Sequence, residues 1–222
     1  MVVLATKIYV SGEAKRRALD SLSSQVRDVV GDLDVSTDVG VRHDGFPSVT
    51  VQGPDATVAR NLLRRQFGEI TGEQRSGTSG YGTLESWDEE GFVLDSGVDV
   101  RIATEDLGLG AGTPSQIRTR FGLVQHVPLR FEYRDRPTLA ETERDRLFEW
   151  TREEGGRVNV NSATRSEVRA TVNRAGHAAD VITIERLGLL EQSIVCKPET
   201  DPPGLIASIG RYLPSEMLAV VP

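Results

Sequence analysis

The chain has 222 residues, 38% hydrophobic and 27% charged, with 33 acidic side chains against 26 lysines and arginines for a net charge of -7. That length and apolar content exclude a disulfide-stapled miniprotein and wholesale disorder, and the single cysteine, Cys196, excludes an internal disulfide and a Cys-based zinc site. No apolar run approaches the roughly 20 residues that cross a bilayer, and no charged-then-apolar leader opens the chain, so a cytoplasmic protein with no membrane partner is expected.

Taken in chain order, residues 1–70 read as strand, helix, strand, strand, helix. Met1 to Tyr9, with "ATKIYV" at its alternating core, reads as the first strand. Ser11 caps a helix whose stripe is Leu19, Leu22, Val26, Val29 and Val30, and Gly31 ends it. "DVSTDVGVR" and "SVTVQG" are strands around the turn "HDGFP", and Pro54 and Asp55 open a second helix bearing Val58, Leu62, Leu63 and Phe67. This βαββα order fits a KH-like or a ferredoxin-like module. "GEITGEQRSGTSGYG" lacks apolar periodicity and places a linker at 71–79.

Residues 80–133 read as short strands with glycines at the bends: "YGTLESW", "FVLDSG", "VDVRIAT" and "VPLRFEY". Thr113 and Pro114 open a short helix before the last of them. Such spacing suggests a small barrel. Residues 134–222 begin with a helix capped by Thr138 and carrying Leu139, Leu147, Phe148 and Trp150. Then follow the strand "RVNVN", a helix started by Ser162 or Thr164, the strands "DVITIERL" and "QSIVCK", a helix opened by Pro202 and Pro203, and the strand "MLAVV". That βαββαβ order is the ferredoxin-like plan. The expected class is α+β: an N-terminal βαββα module, a small barrel and a C-terminal ferredoxin-like module.

The charge is unusual in kind. Only Lys7, Lys15 and Lys197 are lysines, so nearly all the positive charge is arginine. An acidic, arginine-rich chain fits a salt-rich cytoplasm and equally a GC-rich genome. In strong salt, phosphate contacts weaken steeply and stacking must carry more of any nucleic-acid binding.

The stretch "YGTLESWDEEGFVLDSGVDVRIATEDLGLG" resembles the opening of S1-type OB-fold domains, through Gly82, Gly91, Phe92, Val93, Asp95, Gly97, Ile102, Asp106 and Leu107. The whole chain is similar to the archaeal domain-of-unknown-function family 2110, on the blocks "VARNLLRRQFGEI", "RFGLVQHVPLRF", "NSATRSEVR", "ERLGLLEQSIVCK" and "DPPGLIASIG". The second resemblance implies archaeal origin and an S1-like middle, and brings no established activity. The first implies single-stranded RNA binding by stacking on strand aromatics, at ~1–3 kcal/mol per base. Phe92 then stands at the stacking position on the second strand, with Trp87 as a second platform. The competing assignment makes both rings core or interface residues. Ala103 departs from the S1 pattern, which often has His or Pro there, and acids exceed bases by five across 80–133.

Two arginine groups are candidate phosphate contacts. Arg60 and Arg64 share a helix face that Lys15, Arg16 and Arg17 of the neighbouring helix could extend. Arg165 and Arg169, four apart near a helix N-terminus, form the second group, with Arg157 and Arg174 near them and Asn159 and Asn161 on the preceding strand. A KH-type Gly-x-x-Gly loop is missing from the first region. His43, His126 and His177 lie far apart in sequence and read as surface or satisfied structural residues, with no metal-binding spacing. No Walker loop and no G-x-S-x-G occurs, and "GLGAG" lacks the Lys-Ser or Lys-Thr that a phosphate loop needs. Cys196 reads as a small core residue.

The expected function is a non-enzymatic RNA-binding or ribosome-associated factor, without metal or cofactor, using Phe92, Trp87, Arg60, Arg64, Arg165 and Arg169. The alternative is a protein-interaction scaffold in transcription or translation machinery, with the acidic middle meeting a basic partner. An enzyme on a small anionic substrate would need a pocket holding Arg165, Arg169 and a carboxylate or histidine.

Overall fold

The computed structural model describes residues 1–72 and 75–222. It is a mixed α+β structure with three antiparallel sheets, one of them curled into a half-barrel. No helix of the described residues is long and apolar enough to cross a membrane.

The N-terminal unit contains β1 (Val2–Val3), α1 (Gly12–Val30), β2 (Ser36–Val41), β3 (Pro47–Gln52) and α2 (Ala56–Phe67). Strand β3 is central, in the order β1-β3-β2, with Val2 opposite Val49 and Thr37 opposite Val51. The fourfold spacing of Ala18, Leu22, Val26 and Val30 turns one face of α1 onto Val49 and Val51, and Ala59 and Leu63 bring α2 beside it. The first strand is far shorter than the alternation of "ATKIYV" predicts. After Leu4 the chain leaves the sheet, because Lys7 and Tyr9 are drawn into ion pairs and hydrogen bonds with the other two units. Glu69 and Ile70 return along the outer side of β1, where the Ile70 N–H donates to the Val3 carbonyl at 2.9 Å.

Within the expected linker, Glu73 and Gln74 lie outside the described residues, and Thr78 and Ser79 already belong to β4 (Thr78–Trp87). The middle unit continues through β5 (Gly91–Asp95), β6 (Asp99–Ala103), α3 (Thr104–Leu107), α4 (Pro114–Arg120), β7 (Pro128–Tyr133), β8 (Pro137–Leu139) and α5 (Glu141–Trp150). Its five strands run β6-β5-β4-β7-β8, and the sheet curls until β6 and β8 approach without pairing. A bulge between Leu84 and Ser86 bends β4, which pairs on both sides. Thr113 and Gln116 form a capping box that starts α4, with Pro114 at its first turn. The expected cap at Thr138 is replaced by strand pairing: Thr138 sits opposite Glu132, and the helix begins after Ala140.

The C-terminal unit contains β9 (Arg157–Val160), α6 (Arg165–Arg174), a 3-10 turn (Ala178–Asp180), β10 (Val181–Arg186), β11 (Gln192–Cys196), α7 (Pro202–Ile209) and β12 (Met217–Val220). The sheet order is β10-β11-β9-β12. As in the N-terminal sheet, the first strand pairs with the third and the third with the second, while β12 adds a fourth on β9. Thr164, rather than Ser162, caps α6 and forms a capping box with Glu167.

The β10–β11 turn locks the units together. Leu189 and Leu190 enter the N-terminal core, Leu187 packs on the middle core, and the Leu189 N–H donates to Thr6 Oγ1 at 2.8 Å.

Candidate functional site

The six residues chosen from the sequence do not assemble into one surface. Phe92 has no exposed area: it lies inside the curled sheet, opposite Ile102 on β6, where an adjoining base has no access to the ring. The stacking role therefore gives way to the competing core assignment for Phe92. The physical reason is alternation, since the β5 residues that face inward when the sheet curls are Phe92 and Leu94. Trp87 is half-buried, and the Arg118 guanidinium covers its ring at 3.8 Å. Arg118 is itself buried and paired with Glu216 of the C-terminal unit.

The helices α1 and α2 do lie side by side, but acids take up three of their cations, Arg16, Arg17 and Arg64. Arg64 meets Glu69 through two bonds of 2.6 and 3.4 Å. Arg16 pairs with Glu13 and Asp20, and Arg17 with Glu167 of α6. Arg60 donates to Thr57 Oγ1 at 3.3 Å. On α6, Arg165 Nε donates to the Ile184 carbonyl at 2.6 Å, holding its side chain along β10. Arg169 is exposed beside a 160 Å³ recess whose lining contains neither Arg165 nor any acid or histidine. Arg157 is buried against Trp150 and paired with Glu153 and Glu185. Asn159 and Asn161 point away from α6, because alternation gives Val158 and Val160 to the helix side. Their amides donate to the Gly122 and Gln125 carbonyls of the middle unit.

A different cluster does assemble. A cleft of about 260 Å³ opens where the three units meet. Helix α1 contributes Gln25, α2 contributes Arg65 and Gln66, β4 contributes Tyr81, α5 contributes Glu143 and Arg146, and β10 contributes Arg186. The charged lining is three arginines against one glutamate, a local net of +2 in a chain of net -7. Arg146 is held in place by Glu143 and by the Trp150 ring, 4.9 Å away, and its Nε is buried without a partner among the described residues. Arg65 and Arg186 are exposed and make no hydrogen bond or ion pair with any described residue. Partial burial, and after it the nearby Arg165 charge, lower the Arg186 pKa against the opposing pull of Asp28. Gly68, at φ 70°, lets the wall close: a Cβ there would lie 2.9 Å from Ala5 and from the Tyr81 ring.

Next to the β10–β11 turn that forms one wall runs a half-buried polar chain that ends on the buried Glu191. Lys7 Nζ contacts Asp95 at 2.7 Å and Glu85 at 2.9 Å. Glu85 also meets His126 Nδ1 at 3.2 Å and accepts from Thr83 Oγ1. The His126 ring lies 3.9 Å from the Tyr9 ring. The Tyr9 hydroxyl donates to Glu191 Oε1 at 2.7 Å and accepts from the Ser162 N–H. Burial pushes Glu191 up to about 8, with Glu85 adding to the rise and hydrogen bonds from Tyr9 and the backbone opposing it. For Glu85 burial pushes upward too, but bonds from His126, Lys7 and Thr83 outweigh it and hold the carboxyl at about 2. Burial and the adjacent Glu191 raise the Tyr9 hydroxyl.

Sequence reasoning missed Arg146, Arg186, Tyr9 and Glu191. Arg65 adjoins Arg64 in sequence, but that it has no hydrogen bond or ion pair among the described residues depends on the tertiary structure, which gives Glu69 to Arg64. His126, read from the sequence as a surface or satisfied structural histidine, is part-buried and contacts Glu85 through Nδ1.

Three family models match the chain: the DUF2110 N-terminal domain over residues 1–73, the central domain over 74–151 and the C-terminal domain over 155–221. No curated protein and no solved structure matches it. The cleft therefore takes one arginine from each domain: Arg65, Arg146 and Arg186. Matched over nearly its whole length, the chain belongs to the DUF2110 family.

Proposed function

We propose that the protein is a non-enzymatic RNA-binding factor that holds the phosphates of a single strand at the junction of its three domains. The observation that carries this reading is the convergence of Arg65 and Arg186, neither hydrogen-bonded nor ion-paired among the described residues, beside the pre-ordered Arg146 in a chain otherwise rich in acids. Guanidiniums suit phosphate because their planar forks donate two bonds at once. Arg165 lies close enough to Arg186 to lower its pKa, while neither it nor Arg169 lines the cleft.

The architecture supports the same reading by analogy. The order β6-β5-β4-β7-β8, with α4 between the third and fourth strands, fits an S1-like OB barrel. The order β10-β11-β9-β12 fits a ferredoxin-like module, a plan shared by sheet-based RNA readers. In this reading the barrel is a scaffold, and its buried Phe92 makes no contact with bases.

The test is binding of a labelled single-stranded RNA across a salt series. Affinity is expected to fall with salt at a log–log slope of about -0.7 per phosphate contact. Replacing Arg65 and Arg186 by Ala should flatten that slope and weaken binding about 10-fold or more. Absence of binding, or an unchanged double variant, ends the proposal.

The scaffold reading rests on one observation of its own. An open depression of about 810 Å³ on the middle domain is lined by Glu89, Glu90 and Glu105, with Arg101 already paired to Asp88. A basic protein partner retained by affinity capture at low salt and released when these three become Gln would favour it.

A further inference from the structure

We infer that the three-domain cleft is a site for a phosphate dianion: a phosphate monoester at an RNA end or on a small phosphorylated compound. The RNA-end form rests on the function proposed above; the small-compound form does not.

Charge comes first. Arg65, Arg146 and Arg186 against Glu143 leave the lining at +2. A phosphate monoester carries a charge of roughly -1.5 to -2 at neutral pH, whereas an internal phosphodiester carries a single charge. The lining is balanced by the first and overcompensates the second. Size points the same way. A volume of about 260 Å³ lies just below the range typical of small-molecule sites, which is room for a phosphate with its sugar rather than for a run of stacked nucleotides.

Pre-organisation is the third argument. The Arg146 guanidinium is fixed by Glu143 on one side and by Trp150 beneath it, so a ligand does not have to immobilise a free side chain. The paired side chain is still 35% exposed, so a bound oxygen meets a guanidinium that is already in place. Arg65 and Arg186 supply forks from two other domains, so one small anion would bridge all three.

The experiment is calorimetric titration of the full chain with inorganic phosphate and with a nucleoside 5′-monophosphate. In parallel, one oligonucleotide is measured with a 5′-phosphate, a 3′-phosphate or hydroxyl ends. Arg65→Gln and Arg186→Gln are exposed changes with little consequence for folding, and Arg134→Gln, outside the cleft, is the control. One phosphate per chain is expected, weakened about fivefold by each single change and about 20-fold by both, with the control unaffected. Preference for one phosphorylated end assigns the site to RNA termini; equal binding of all three oligonucleotides assigns it to small compounds. Phosphate binding without oligonucleotide binding keeps the site and removes the RNA function. Oligonucleotide binding without phosphate binding, or phosphate binding unchanged in the double variant, overturns the site and leaves the RNA function standing.

Discussion

Glu191 is completely buried, one oxygen held by the Tyr9 hydroxyl and the other without a partner among the described residues. Its carboxyl lies so close under Gly188 that a Cβ there would be 2.1 Å from Oε2. With a pKa raised from 4.5 to about 8, it keeps its proton in the folded chain where the unfolded chain has lost it. The unfolded state then binds fewer protons, so stability falls as pH rises from 4.5 to about 8 and levels off above. One such group contributes a slope of about 1.4 kcal/mol per pH unit inside that window. Glu85, held at about 2, acts in the opposite sense and at lower pH: its contribution is full above 4.5 and is lost as pH falls toward 2. Urea denaturation between pH 5 and 8.5 should show the wild-type slope flattened in Glu191→Gln, with the variant more stable at pH 8; an identical slope in both would refute the assignment. Nothing in the sequence marks this glutamate among 33 acids, because its pKa comes from burial created by distant segments.

The elements that were readable are those whose signals are local. Gly31 stops α1 by donating its N–H to the Arg27 carbonyl, and the Thr164–Glu167 capping box starts α6. Thr164→Ala removes two of the bonds at that start and should cost about 0.5–2 kcal/mol, read as a lower midpoint in thermal unfolding. If the midpoint holds, the cap contributes nothing and the tertiary contacts of Val168 and Val172 alone keep the helix. The misread elements had good local signals that lost to pairing. Thr138 followed three residues later by Glu141 imitates a capping box, yet Phe131–Leu139 and Glu132–Thr138 pairing draws it into a strand. "ATKIYV" alternates as a strand should, yet its polar members are used by Asp95, Glu85 and Glu191 across domain boundaries.

At the scale of the molecule the β10–β11 turn is the keystone, since its leucines complete the cores of both other domains. Leu190 is buried in the N-terminal core although it belongs to the C-terminal domain. Leu190→Ala should cost about 2–5 kcal/mol and should lower hydrogen-exchange protection in α1 and α2 as well as in β11. Loss confined to β11 would show that the domains unfold independently. The same interlock places Arg186 and Gly188 at the cleft and sets its shape.

By itself the sequence determined most of the helices and strands, though not β8 or α3, together with the α+β class and the family, because periodicity, caps and turn residues act over a few positions. Only the tertiary structure decided which face of β5 is inside, which arginines find an acid, and that three domains contribute one arginine each to a single cleft. Those outcomes depend on how the middle sheet curls and how the β10–β11 turn wedges between its neighbours. Both are settled by burial summed over residues far apart in the chain, and no local window contains them.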